Sequence, residues 1–224
     1  MSKTLRQRWR YWSGVFFFNA GASFYAWMTW QPTWRAHCAS LADYFPAAER
    51  PAVLDVGIGP GVSGIGILDR RPDAWVVGVD FASAMLSQAR RYLRRADRQF
   101  DLVRGDVMSL PFADASFDVV THHSFLYLLS DRDQALAELR RVLRSGGSYV
   151  ILEPHRDGKL GDILMSGGGF RFTLSMVLWR IFSRGYGQFG AEELAALLTS
   201  HGFVEVRVET TLSGLGLLAR ARNA

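Results

Sequence analysis

The chain has 224 residues, 49% of them hydrophobic, with a formal net charge of +5 and a pI near 9.7. That length suits one sizeable α/β domain with additions, and that apolar content excludes wholesale disorder. One cysteine, Cys38, excludes an internal disulfide and a cysteine-rich zinc site, and no apolar run reaches the roughly 20 residues of a membrane-spanning helix.

Residues 1–45 differ from the rest. Lys3, Arg6, Arg8 and Arg10 are interleaved with and followed by Trp9, Tyr11, Trp12, Phe16, Phe17 and Phe18, and then by Phe24, Tyr25, Trp27, Trp30 and Trp34. A secretory leader also starts basic, but here Asn19 interrupts the apolar stretch and more aromatics follow, which argues against one. The segment reads as a pair of helices. Either they simply pack on the core by their aromatic faces, or they form a lid over an apolar substrate or lie on a membrane surface with arginines toward lipid phosphates. Cys38 reads as a small buried apolar residue.

Pro46 to Pro51 is a linker into a domain at 46–224. Val53 to Val56 is a buried strand, and the glycine turn after it leads into a helix, apolar from Ile65, that stops near Arg70-Arg71-Pro72. Ala74 to Val79 is a second strand ending at Asp80. Ala82 to Ala96 is a helix whose Arg90, Arg91, Arg94 and Arg95 form a solvated face. Phe100 to Arg104 is a third strand, ending at Gly105-Asp106, and Leu110 to Ser116 a loop. Phe117 to Thr121 is a fourth strand. Asp131 caps a helix running to Arg144, with Gly146-Gly147 as its stop. Ser148 to Leu152 is a fifth strand ending at Glu153-Pro154. Such alternation means a parallel sheet covered on both faces. The tail changes rule: a helix over Ala191 to His201 precedes strands Phe203 to Glu209 and Leu215 to Arg220, close enough to form an antiparallel hairpin.

The chemistry concentrates at the glycine turn. Gly59-Pro60-Gly61-Val62-Ser63-Gly64 satisfies the dinucleotide pattern, and Asp80 follows Gly61 by 19 residues, where an acid would hold a ribose. Gly57 adds an earlier glycine, and Asp55 sits two residues before it. An acid there would repel a pyrophosphate and suit a ligand with an ammonium group.

Taken in order, VLDVGIGPG, VVGVDFASAML, GDVMSLPFADASFDVV and LRRVLRSGGSYVILEP resemble the motifs of the class I S-adenosylmethionine-dependent methyltransferases. The segment Tyr25 to Arg35 is similar to the entrance of the ubiquinone and menaquinone C-methyltransferase group. The resemblance implies a Rossmann-like α/β fold: a seven-stranded, mostly parallel sheet with a C-terminal antiparallel hairpin, N-terminal helices and a helical cap inserted at about 157–190. It implies S-adenosyl-L-methionine as cofactor. Gly57, Gly59 and Gly61 would lie against its methionine part and Asp55 near its ammonium. Asp80 would take the ribose hydroxyls, Phe81 and Met85 would pack on the adenine, Asp106 and the Val107 N–H would meet its edge, and Thr121 would stand at the strand end beside it.

Methyl transfer is chiefly alignment, with a base needed only if the nucleophile carries a proton. Past the fourth strand stand His122 and His123, of which at most one is expected to face the methyl, the other being a core or supporting histidine. Glu153, Tyr25 and His155 are the next candidates, and no metal site is expected. Gly167-Gly168-Gly169 before the apolar run Phe170 to Phe182 reads as the hinge of a moving cap or the start of a buried helix. The expected acceptor is a small, largely apolar molecule, quinone-like or otherwise lipid-like, in a cytoplasmic enzyme with peripheral membrane contact through its N-terminal segment. The basic charge leaves a phospholipid or nucleic-acid methyltransferase as alternatives, although no Asn-Pro-Pro-aromatic motif follows the fourth strand. A non-catalytic S-adenosylmethionine- or nucleotide-binding module or a nicotinamide oxidoreductase stands further off, and a nicotinamide enzyme lacks a reason for Asp55 and for the terminal hairpin.

Overall fold

The computed structural model describes residues 19–165 and 169–224. The basic and aromatic residues up to Phe18, and Gly167-Gly168 of the expected hinge, lie outside the described residues. Seven strands form one sheet: β1 (Ala52–Val56), β2 (Trp75–Asp80), β3 (Asp101–Arg104), β4 (Phe117–His123), β5 (Leu143–Pro154), β6 (Phe203–Thr211) and β7 (Gly216–Asn223). Their order is β3-β2-β1-β4-β5-β7-β6. The first five run parallel, and β7 pairs antiparallel with both β5 and β6. The seven-stranded sheet with its terminal hairpin is the expected architecture. Because the connections after the neighbouring strands β1 and β4 lead to opposite sides, to β2 and to β5, a crevice opens at their carboxyl ends.

Eight helices are described: α1 (Ala22–Thr29), α2 (Pro32–Ser40), α3 (Val62–Arg70), α4 (Ser83–Ala96), α5 (Arg132–Val142), α6 (Leu160–Met165), α7 (Gly169–Tyr186) and α8 (Ala191–Ser200). Asp131 caps α5, its Oδ1 accepting the Gln134 N–H at 3.1 Å. That helix stops at Val142, two residues before the sequence suggests, because Leu143 pairs with Phe117 and is drawn into the sheet ahead of a bulge. The strand ladder competes with the helix there and wins through burial of Leu143.

One face of the sheet packs on α5 and α8 through Leu136, Leu139, Leu194 and Leu198. The other packs through Ile67, Trp34, Phe172 and Met176, so α2 and α7 belong to the core. The approach of α2 to α3 needs a glycine: a Cβ on Gly66 would lie 2.9 Å from the Arg35 carbonyl oxygen. Trp34 is buried, and its indole N–H donates to the Ser175 hydroxyl of α7 at 2.7 Å. The N-terminal helices therefore bridge the sheet layer and the inserted helix, directly over the crevice.

Candidate active site

Val56 ends β1 and the chain turns through Gly57 and Gly59, at φ +65° and +52°, backbone that favours glycine. At Gly57 a side chain is excluded twice, since a Cβ would also lie 2.3 Å from the Phe125 ring. Gly61, at φ +84°, caps α3. Its Cβ would meet Ala89 of α4 at 3.2 Å, and it lines neither of the cavities described below. Its bareness thus serves the packing of α3 on α4, while its neighbours Pro60 and Val62 line the larger cavity.

Asp80 ends β2 with both oxygens held by backbone N–H groups, Oδ2 by Gly59 at 2.9 Å and Oδ1 by Ala82 at 2.8 Å. Burial outweighs these bonds and pushes its carboxyl up to about 6. Asp55, on β1, is buried deeper. Burial pushes it up to about 7, with the nearby Ser63 hydroxyl opposing and the Asp80 charge adding to the shift. Neither of its oxygens has a hydrogen bond of ordinary geometry among the described residues. A buried acid without a partner is costly unless a ligand or water completes it.

Two cavities open at the crevice. The larger, of about 520 Å³, runs from Gly57 and Gly59 up to α1 and α7 and is walled by Phe24, Met28, Trp34, Leu178, Trp179 and Phe182 among others. The smaller, of about 120 Å³, runs from the same glycines past Asp80, Phe81, Asp106, Val107 and Met108. They share Tyr25, Gly57, Gly59, Met85, His123, Ser124 and Leu128, so they form one bipartite cleft. Asp106 keeps one oxygen on the Met108 N–H at 3.0 Å. Thr121 lines neither cavity. It is fully buried and its hydroxyl donates to the Val150 carbonyl of β5 at 2.6 Å. That corrects its expected place beside the cofactor, since the group serves the sheet.

The two histidines part company. His123 lines both cavities, with Nδ1 3.0 Å from the Ser124 hydroxyl, Trp34 edge-on at 5.2 Å, and Nε2 without a hydrogen-bond partner among the described residues. Burial, helped by His37 and His122, lowers its pKa to about 3, so the ring is neutral at physiological pH. His122 points the other way into the core. Its Nε2 lies 2.6 Å from the Tyr149 hydroxyl and its Nδ1 3.1 Å from Glu153 Oε1, and it reaches neither cavity. His122 as a catalytic group is thereby corrected: successive side chains of a strand face opposite sides, and only one can meet the cleft.

Glu153 and His155 are likewise engaged elsewhere. Fully buried at the end of β5, Glu153 accepts the Phe125 and Leu126 N–H groups on Oε1 at 3.0 and 2.8 Å and the Tyr127 N–H on Oε2 at 3.1 Å. It therefore caps the short 3₁₀ turn Leu126–Leu128, whose loop carries Ser124, at φ +59°, and Phe125 against Gly57. His155 Nδ1 lies 2.7 Å from the Gly214 carbonyl oxygen. Tyr25 sits on the shared wall, its phenol pushed far up by burial. Ser124, Tyr127, Ser175 and Trp179 also line the larger cavity and were not legible as site residues, because no motif marks them. Among the described residues no group of three His, Cys, Asp or Glu side chains is placed to hold a metal ion.

A parallel sheet ending in an antiparallel pair, a bare glycine turn, an orphaned acid beneath it and an acid pinned at the end of β2 together fit S-adenosylmethionine. The chain belongs to the S-adenosylmethionine-dependent methyltransferases of class I, and the family profile described as a methyltransferase domain matches residues 53–147. It is 32% identical over 201 residues to a demethylmenaquinone methyltransferase of Thermus thermophilus, across 83% of this chain and 87% of that protein. A demethylmenaquinone methyltransferase of Deinococcus radiodurans is 35% identical over 167 residues, 67% of each chain. In fold it is similar to a solved S-adenosyl-L-methionine-dependent methyltransferase of Methanococcus maripaludis, with a TM-score of 0.71 at 21% identity over 100% of this chain and 97% of that one.

Proposed function

We propose that the acceptor is a small, largely apolar molecule of quinone type, a ring with a lipid-like tail. One observation carries this reading: among the described residues no Asp, Glu, Lys or Arg lines the larger cavity, and its walls are mostly aromatic and aliphatic. A phosphate or ammonium head group, or a nucleobase on its charged backbone, would enter without a counter-charge, against a steep desolvation penalty. The two relatives named above point the same way.

Bound S-adenosylmethionine supplies a methyl group on a sulfonium centre. Asp55 balances the ammonium of the methionine part, directly or through water, and Gly57 and Gly59 let that part lie on bare backbone. Asp80 accepts the ribose hydroxyls. Phe81 and Met85 pack on the adenine, while Asp106 and the Val107 N–H meet its edge in the smaller cavity. The shared wall of Tyr25, His123 and Ser124 then borders the transferable methyl. Neutral His123 accepts or donates one hydrogen bond to the acceptor's oxygen and orients it for in-line attack. Helices α1, α2 and α7 act as the lid that keeps water out, in an enzyme working on the cytoplasmic side of a membrane.

The test is transfer of a deuterated methyl group, read by mass spectrometry, to three acceptors offered side by side: a demethylated naphthoquinol with a short isoprenoid tail, phosphatidylethanolamine vesicles, and transfer RNA. Labelled quinol is expected. Label on either of the others alone would overturn the reading.

A further inference from the structure

The mouth of the larger cavity carries more exposed apolar surface than a water-facing rim requires. Phe24 is 58% exposed and Ile181 62%, and both line the cavity. Trp27, on the same helix as Phe24, is 50% exposed, and Phe170, next to Arg171 at the start of α7, is 84% exposed, although neither lines the cavity. Phe24 and Trp27 stand with ring centroids 6.1 Å apart on α1. Arg171 ties that helix to α7: its guanidinium lies 4.7 Å over the Trp27 ring and donates to the Trp27 and Trp30 carbonyls. Several large exposed apolar side chains on two helices tied together at one cavity mark a contact surface more often than they occur by chance.

What surrounds the patch says which kind of contact. Helix α1 lies along α4, with the Ser23 hydroxyl 2.9 Å from Gln88 Nε2, Trp30 stacked on Tyr92 at 4.2 Å, and Arg95 6.0 Å over Trp30. On α4, Arg90, Arg91, Arg94 and Arg95 are all exposed, and none has an ion-pair partner among the described residues. Arg91, Arg95 and Arg171 converge on Tyr92, their charges opposing the upward push that burial gives its phenol. No Asp or Glu occurs in α1, α4 or α7. Exposed aromatics edged by unpaired arginines, with no acid among them, match the two layers of an anionic bilayer surface: an apolar boundary beneath negative head groups.

We propose that Phe24, Trp27, Phe170 and Ile181, flanked by Arg91 and Arg95, dock the protein on an anionic lipid surface with the cavity mouth against the bilayer. A tailed acceptor would then pass from lipid to cavity without crossing water. The inference rests on the reading of an apolar acceptor, but vesicle binding is measured without acceptor or cofactor, so its failure leaves transfer to a dispersed acceptor standing.

The experiment is flotation of the full chain with vesicles of phosphatidylcholine alone or mixed with phosphatidylglycerol, at low and physiological salt. Wild type should bind the anionic vesicles, and less as salt rises. Arg91→Gln with Arg95→Gln should weaken that binding by roughly fivefold per arginine. Trp27→Ser with Phe170→Ser should weaken it at least as much. Phe170→Ser alone, at a side chain that packs on little, guards against loss of fold, and unchanged affinity for S-adenosylhomocysteine shows that each variant is intact. Equal binding to neutral vesicles, no binding by wild type, or binding that none of these variants moves would overturn the proposal. So would a wild-type dimer in sedimentation that Trp27→Ser with Phe170→Ser dissolves while vesicles are ignored, for the patch would then serve a second copy of the chain.

Discussion

Replacing Glu153 by Gln should loosen the active-site loop from beneath. The native carboxylate is fully buried and accepts three backbone N–H groups, from Phe125, Leu126 and Tyr127. Gln keeps one carbonyl oxygen and puts an NH₂ where the other stood. At least one of the three N–H groups then faces a donor, and the remaining bonds lose their charge assistance. Hydrogen bonds to a charged group contribute about 1.5–3 kcal/mol each, and an unpaired buried group costs about 1–3 kcal/mol, so the net loss is on the order of 3 kcal/mol. For a chain of this size that lowers Tm by roughly 6–12 °C. The loop also presses Phe125 on Gly57 and carries Ser124 and Tyr127 to the cavity wall next to His123, so cofactor affinity should fall together with stability. Circular dichroism melts with and without S-adenosylhomocysteine, followed by calorimetric titration, measure both. A Tm within about 2 °C of wild type with unchanged affinity would refute the clamp.

Gly57→Ala should abolish cofactor binding, because the new Cβ meets Phe125 at 2.3 Å on backbone at φ +65°; a variant that titrates like wild type would count against a ligand lying on that turn. Cofactor affinity should rise as pH climbs from about 5 to 8. Burial holds protons on Asp55 up to about 7 and on Asp80 up to about 6, and the ammonium and ribose hydroxyls need both acids ionised. The gain is up to about tenfold per pH unit for each proton released, and a flat profile by calorimetry would contradict both roles. Stability of the free protein has the opposite sign: raised folded-state values favour the fold at low pH, and that contribution is lost as pH rises from the unfolded value of 3.8 through 6 to 7, which melting curves across that range would detect. His123→Ala should lower kcat by up to about tenfold, the loss of one orienting hydrogen bond, with cofactor affinity retained, and the rate should show no acidic limb from its ring near neutrality, because the ring is already neutral. His122→Ala should instead lower Tm by breaking the contact with Tyr149 and leave kcat near normal at permissive temperature.

The glycine turn and the acids beside the smaller cavity were legible in the chain because backbone chemistry writes them locally. Only glycine fits the turn at Gly57 without strain, Asp80 closes a strand whose β-branched run is plain to read, and Asp106 follows the next strand by two residues. Thr121 was misread because a strand-end residue fits the same motif whether it faces a ligand or a neighbouring strand. The choice between His122 and His123 turned on which side of β4 faces the crevice, and a fully buried strand has no polar alternation to reveal it. The larger cavity was legible only as aromatic density. Its walls join α1, α2 and α7, residues some 140 positions apart, and the Trp34 to Ser175 bond that fixes them is long-range by nature. Glu153 read as a spare base because its partners are backbone N–H groups, which leave no trace in side-chain identity.

The most direct test is a crystal structure of the protein with S-adenosylhomocysteine and a demethylated quinol bound together. The account predicts the adenosine in the smaller cavity with its ribose on Asp80, the sulfur at the junction of Gly57 and His123, and the quinol ring in the larger cavity between Trp34 and Trp179, facing that sulfur. A ring bound outside this cavity, or a cofactor whose sulfur turns away from the junction, would contradict it.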